Sequence, residues 1–314
     1  MCLIFCTPFF VGTLSEKGMF FGGNNGYSGG GWVSPSNTVE LYNLSNGVVS
    51  SGTTLTYIRP AGAGTSTSTT AYLVGSGSGT SSFPTERYQW SNNTVTSSTG
   101  LTSNRELLAA ANNSTFGIYT GGRRYIPYWT VSAVTDKYTY SNDTVVSTSS
   151  LTQGLAGLAG AGNTTKAIFH GGQNSVLNGT GNQVYDGSST SVTHKFLYSG
   201  ETMTTITSLG IARRDHGACG DSTVGVFGGG NDNGAMGFPT KKITYSSETA
   251  VTGTTLVAAT TAAAISGTTF GVYCFSDQTG SQKYTYATNT VVAGTTLIKS
   301  NYSRGTASTN HGGL

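Results

Sequence analysis

The chain has 314 residues carrying 16 basic and 13 acidic side chains, a net charge of +3, so only 9% of it is charged, against about a quarter in a typical soluble domain. Gly fills 46 positions, and 36% of residues are hydrophobic, among them 17 Tyr and 13 Phe, which argues against a helical chain and against a disordered one, since there is ample surface to bury. The near-neutral charge excludes the broad basic field of a nucleic-acid binder, and no apolar run reaches the roughly 20 residues of a membrane span.

Residues 1–17 are mostly apolar and include Leu3, Ile4, Phe5, Phe9 and Phe10. The run has the hydrophobicity of a signal core but no Lys or Arg ahead of it and no clear small-residue cleavage site. Such residues need burial, either against a partner chain, as an attachment arm, or across the protein's own body. Cys2, Cys6, Cys219 and Cys274 are too sparse for a disulfide framework and fit assembly in a reducing cytoplasm.

From residue 18 onward the chain repeats itself. A phrase centred on an aromatic strand appears six times, as Glu40-Leu41-Tyr42, Glu86-Arg87-Tyr88, Asp136-Lys137-Tyr138, His194-Lys195-Phe196, Lys241-Lys242-Ile243 and Gln282-Lys283-Tyr284. After each comes a Thr/Val stretch ending in a leucine, namely Leu55, Leu101, Leu151, Leu209, Leu256 or Leu297. Before each lies an apolar run that usually ends in a glycine pair, as in Met19 to Gly23, Ile118 to Gly122 and Ile168 to Gly172. A stretch of small residues, such as Leu107 to Ala111, precedes each apolar run.

A unit of about 48 residues holding four short strands matches one blade of a propeller, whose radial repetition hides most sheet edges. We label the strands a (small residues), b (apolar-glycine), c (aromatic) and d (Thr/Val). The sequence therefore predicts an all-β chain: a six-bladed β-propeller of four-stranded antiparallel blades over residues 18–314. The first unit starts at strand b and the chain ends in an orphan strand a near Arg304 to Thr309, so pairing of the C-terminal strand with the N-terminal blade is expected to close the ring. Leu3 to Phe10 is the competing candidate for that first strand a.

Strand b ending in Gly-Gly, the tyrosine-centred strand after it, and an arginine opening strand a resemble kelch repeats of the galactose-oxidase type of propeller. The arginines are Arg59, Arg105, Arg213 and Arg304. The last strand departs from the pattern, with Thr, Val and Ser where the family has Trp. The low charge, Gly/Ser/Thr bias and degenerate internal copies look like propeller proteins of bacteriophage virions, as tail-fibre, baseplate or surface components. That likeness implies a virion location after assembly in the host cytoplasm, with an extracellular or cell-surface protein as the alternative.

Propeller function usually resides in the loops at one end of the ring. The longest loops join strands b and c and carry Tyr27 and Trp32, then Arg123, Arg124, Tyr125, Tyr128 and Trp129, then Asn174, Asn182 and Tyr185. Aromatic faces beside Arg and Asn suit glycans, and they equally suit blade capping or a subunit contact. The four arginines are expected near the pore, paired with Asp or Glu of the adjacent blade, or else forming an anion ring. No catalytic residue, metal or cofactor is expected. His170, His194, His216 and His311 are scattered, and His216 with Cys219 is a weak metal signal better read as a strand-a histidine held by hydroxyls. Glu40, Glu86 and Asp136 recur at one place in the repeat and belong to the blade. The expected function is a non-catalytic binding or structural module of an oligomeric assembly, meeting other virion proteins or a host surface glycan. A carbohydrate-active enzyme or copper-dependent oxidase on a kelch-type propeller is the alternative.

Overall fold

In a computed structural model of the chain, the described residues are 16–24, 35–75, 83–124, 129–174, 188–232, 234–257, 261–276, 278–299 and 305–306, with backbone alone at 27–28, 31–32, 125, 176–177, 183–184 and 307–308. The described residues contain strands and turns and no helix, so none is long and apolar enough to cross a membrane.

Six antiparallel four-stranded sheets form the blades of the ring. Blade 2 is the pattern: Ala63–Ser66 (a), Thr70–Val74 (b), Thr85–Gln89 (c) and Val95–Ser98 (d), hydrogen-bonded in that order. Blade 3 takes Glu106–Asn112, Phe116–Tyr125, Thr135–Thr139 and Thr144–Thr148; blade 4 takes Ala159–Gly162, Lys166–His170, Thr193–Leu197 and Thr202–Ile206. Blades 5 and 6 start at Gly217–Gly220 and Ala262–Ser266. Blade 1 is composite. Its strands b, c and d are Lys17–Phe21, Val39–Asn43 and Val49–Ser51, and its strand a is the C-terminal Gly305–Ser308. Gly18 stands opposite Ser308 and Phe21 opposite Gly305. The C-terminal strand thus closes the ring, and residues 3–10 are not needed there.

Strand b reads as an unbroken apolar run because both of its faces are buried. Alternation sends Met19 and Phe21 into a cluster with Leu73 and Tyr88 of blade 2, while Phe20 joins Ile265 and Val272 of blade 6. Each of the six clusters lies between two neighbouring blades in this way. Strand a has no such latitude at the axis: a Cβ on Gly160 would stand 2.6 Å from the carbonyl oxygen of Ala110 in the blade beside it.

The glycine pair is a clasp between blades. Gly121 (φ +69°) has no room for a side chain, because a Cβ would lie 2.6 Å from the Leu155 carbonyl oxygen. The next amide, Gly122 N–H, donates to that same oxygen at 2.7 Å. Gly23 to Arg59 (3.1 Å) and Gly172 to Arg213 (2.8 Å) repeat the bond. The six leucines fall outside the d strands that they were expected to end. Leu55 follows Val49–Ser51 by several residues and is 1% exposed; its amide donates to Asn37 O, as Leu151 donates to Ala133 O and Leu297 to Thr279 O. The buried leucine follows directly on strand d in blade 5, where Thr255 is still paired before Leu256, and comes three or four residues after it in the other blades.

Candidate functional site

The two ends of the ring differ. At one end, strands a and b join through Asx turns. Asn113 Oδ1 accepts from Thr115 and Phe116 amides at 2.9 and 3.0 Å, and Asn163 and Asp221 do the same in blades 4 and 5. The c–d turns close with Asn93, Asp143, Glu201, Glu248 and Asn289 at φ between +48° and +57°. The Asn-x-Thr triplets at Asn92, Asn142 and Asn163 are turn chemistry: each side-chain oxygen accepts from the threonine two residues on. Across this end, a cation of one blade meets the turn acid of the next in Arg87–Asp143 (2.7 Å), Lys137–Glu201 (2.5 Å) and Lys195–Glu248 (2.9 Å). Its lysine partners hold the Glu248 carboxyl below the usual range, Lys166 first.

The other end carries the b–c connections, and three of these rise into two-stranded ribbons. Tyr27–Ser28 pairs with Gly31–Trp32 above blade 1, and Val176–Leu177 with Gln183–Val184 above blade 4. In blade 3, strand b runs on past the sheet so that Arg123, Arg124 and Tyr125 pair with Val131, Thr130 and Trp129. The Trp129–Val131 strand also lies against the Gln183–Val184 strand.

Only the blade 3 ribbon has described side chains. Arg123 is 6% exposed. Its Nε and Nη2 both lie 2.7 Å from Glu106 Oε1, and its guanidinium carbon sits 4.2 Å from the centre of the half-buried Trp129 ring. The buried ion pair therefore fixes the cation, and the cation fixes the ring. Arg124, on the opposite face of the strand, is exposed. Asn174 is half-buried, and its Oδ1 has no partner among the described residues. Tyr128, Asn182 and Tyr185, the side chains of Tyr27, Trp32 and Tyr125, Arg304, and the whole arm of Leu3, Ile4, Phe5, Phe9 and Phe10 lie outside the described residues.

The three described arginines of the expected pore ring are buried inside the blade ends, and the axial cavity is lined by other residues. Where an arginine of this set has an acid, at Arg59 and Arg105, the acid comes from the same blade, not the neighbouring one. Arg59 Nε binds Glu86 Oε2 at 2.7 Å and Arg105 Nη2 binds Asp136 Oδ2 at 2.6 Å, all four side chains fully buried. The reason is geometric: the arginine precedes strand a and the acid is the second residue of strand c, at the same end of one sheet. Counted to the strand-a residue that stands opposite the last residue before the strand-b glycine, Arg59, Arg105 and Arg213 lie four residues before Ala63, Ala109 and Gly217, whereas Arg304 lies one before Gly305, so Arg304 is out of step with the others.

The axial cavity holds about 110 Å3 and is walled by Ala63, Ala109, Ala159, Gly217, Ala263 and Thr306 among others. A head-to-tail chain of main-chain bonds runs round it: Leu107 N–H to Ala61 O, Gly157 to Leu107, Asp215 to Gly157 and Ala262 to Asp215, at 2.7–3.0 Å. Asp215 lines this cavity at φ +55°, with Oδ1 lacking a hydrogen-bond partner among the described residues and Arg214 Nε 3.7 Å from Oδ2. Burial pushes its carboxyl up, against the opposing pull of Arg214. Nothing in the sequence marks Asp215 for this place, because only the ring brings this one position to the axis.

His216 is not held by hydroxyls. It is 5% exposed and neither ring nitrogen has a hydrogen-bond partner among the described residues, because it stands where blades 3 and 4 place Leu108 and Leu158 against the preceding blade. Its ring centre is 5.5 Å from that of His170. His170 Nε2 faces Ile211 O at 3.1 Å, so it carries the proton, and Nδ1 accepts from Thr193 Oγ1 at 3.0 Å. Burial pulls His170 down to about 3 and His216 well below the ordinary imidazole range. Among the described residues no three His, Cys, Asp or Glu side chains gather as a metal site.

The buried imidazoles make stability fall in acid. A group whose folded pKa is depressed keeps its full contribution above the unfolded value near 6.5 and loses it as pH drops, because the unfolded chain then binds more protons. For His170 the window runs from about 6.5 down to about 3, at a slope of about 1.4 kcal/mol per pH unit for each such histidine. Replacing His216 by the leucine of blades 3 and 4 is expected to remove about one histidine's share of the slope between pH 6.5 and 5 in urea titrations. An unchanged slope would show that His216 already titrates normally in the fold.

No protein-family model matches the chain, and no curated protein matches it either. The geometry itself supports the general statement that this is a six-bladed propeller-repeat protein, with tight turns at one end and raised ribbons at the other.

Proposed function

We propose that the chain is a non-catalytic binding and structural module of a larger assembly, a phage virion surface or tail component of kelch-like plan that meets a host glycan or another virion protein. The observation that carries this reading is the asymmetry of the ring. Every described a–b and c–d connection is a tight turn, while the ribbon-bearing connections gather at the opposite end. Loops raised on a rigid scaffold are where recognition is commonly built. On the blade 3 ribbon, one face carries the Trp129 ring held against Arg123 as a pre-set apolar surface and the other carries the exposed Arg124, so the ribbon offers a stacking face and a hydrogen-bond donor, the two kinds of contact that sugars need.

A glycan array read with the wild type and with Trp129→Ala tests it. Binding without turnover, reduced at least about tenfold by the substitution while the melting temperature stays within a few degrees, supports the module. Bound copper with oxidase activity, or hydrolysis of the bound glycan, overturns the non-catalytic reading. A silent array, with the protein captured by a second virion component through the same ribbon, retains the module and selects the protein partner.

A further inference from the structure

Comparison of the six blades with one another isolates blade 5. In each other blade the second residue of strand c accepts a hydrogen bond from the connection that follows the buried leucine. Glu40 Oε1 accepts from Lys299 N at 2.6 Å, Glu86 Oε1 from Thr56 N at 2.5 Å, and Gln282 Oε1 from Val257 N at 3.0 Å. Asp136 Oδ1 accepts from Thr102 Oγ1 at 2.6 Å, and His194 Nε2 meets Thr152 Oγ1 at 2.9 Å. In blade 5, whose strand c is Pro239–Thr244, the residue in the same register, opposite Phe227 as Glu86 is opposite Leu73, is Lys241, which can only donate.

The arginine beneath that position is nevertheless retained. In blade 2, Arg59 makes three contacts: Nη1 to Gly75 O, Nη2 to Pro84 O, and Nε to the Glu86 carboxylate. In blade 5, Arg213 makes the first two, with Gly229 O at 3.3 Å and Pro239 O at 2.8 Å, and its Nε, like that of Arg105, has no partner among the described residues; unlike Arg105, it has no acid on another nitrogen there either. It is fully buried, beside the Phe238 ring at 5.6 Å, with no carboxylate in ion-pair range among the described residues. Lys241 reaches instead to Thr252 Oγ1 at 2.8 Å, and its ammonium lies 3.9 Å from where a Cβ on Gly210 would stand. The Gly210 amide, which matches Thr56 of blade 2, turns to Ser208 Oγ at 3.0 Å. Two cations therefore surround the place that a carboxylate fills in blades 2 and 3, and a buried guanidinium without a counter-charge is costly.

We propose that the loop end of blade 5 binds an external carboxylate, which stands where Glu86 stands in blade 2, accepts from Arg213 Nε and pairs with the Lys241 ammonium. A carboxylate fits better than a larger oxyanion because the site is the image of one that already holds a side-chain carboxylate, and because the guanidinium edge matches its planar pair of oxygens. The inference is independent of the glycan or partner reading of the blade 3 ribbon.

Thermal melts at fixed ionic strength, with sodium acetate or sodium glucuronate replacing sodium chloride, test it on the full chain. Both carboxylates are expected to raise the melting temperature of the wild type in a saturable way, as any ligand confined to the folded state does. Lys241→Glu supplies the acid internally, so it is expected to raise the melting temperature in chloride and to abolish the carboxylate response. Arg213→Leu, the residue blade 4 places there as Leu155, is expected to abolish the response without the gain. A response to acetate alone supports a site closed to sugars, and a stronger response to glucuronate supports one open to acidic sugars. The absence of any carboxylate response beyond chloride in the wild type overturns the proposal, as does a response that survives Lys241→Glu.

Discussion

Truncation after Lys299 is expected to abolish the folded monomer, whereas truncation after Ser308 is expected to leave it intact. The first deletion removes Gly305–Ser308, the strand that pairs with Gly18 to Phe21 and completes blade 1. Met19, Phe20 and Phe21 are at most 1% exposed, and each such side chain contributes about 1.5–3 kcal/mol when fully buried. Their loss falls on two interfaces together, because alternate residues of this strand serve blades 2 and 6. Total stability of a typical fold is only about 5–15 kcal/mol, and the deletion also bares an unpaired apolar edge. Light scattering after size exclusion, with thermal melts of both truncations, checks it. A monomer that lacks residues 300–314 and melts cooperatively at the wild-type temperature would be incompatible with ring closure as described.

The second large effect belongs to the ion pair inside blade 3. Asp136→Ala leaves the Arg105 guanidinium fully buried without a counter-charge, and it also strips Thr102 Oγ1 and Ser147 Oγ of their acceptor. Burial already pulls the arginine's pKa down, and Asp136 is what opposes that pull. The expected loss is about 3–5 kcal/mol, the usual consequence of breaking a buried pair from one side. The chain contains its own remedy. Blade 4 has Leu155 and His194 at these two positions, both buried, so Arg105→Leu combined with Asp136→His is expected to recover most of the loss. Urea unfolding of the single and double variants measures both. Equal stability of Asp136→Ala and wild type would mean that the pair is not a structural requirement of the blade.

Much of this architecture is legible before any coordinates. The 2-residue alternation of Tyr138-Thr139-Tyr140 announces a strand with two different faces, and the glycine pairs announce positions where no side chain fits. Six copies of one phrase, an orphan strand a at the C-terminus and a missing one at the N-terminus together imply a closed ring. These features are local or repetitive, and a repeat carries its information six times over. The recurrence of Glu40, Glu86 and Asp136 at one place in the unit likewise marks them as blade residues, and the buried bonds of Glu86 and Asp136 agree.

From the order of residues alone come the unit, its number of copies, the succession of its strands and the end of the ring at which its long loops gather. The destinations of individual side chains come from the assembled ring. It turns Arg59, Arg105 and Arg213 away from the axis and into their own blades, lodges His216 between blades 4 and 5 with no hydrogen-bond partner among the described residues, and brings Asp215 to the central cavity. It also ties Arg123 to Glu106 beneath Trp129 and leaves Arg213 of blade 5 without the acid that Arg59 and Arg105 have. The physical reason is that strand pattern is a short-range property set by alternation and turn chemistry, whereas the direction of a side chain and its charge partner depend on which blade lies alongside, a relation between residues about 50 positions apart that no local rule contains.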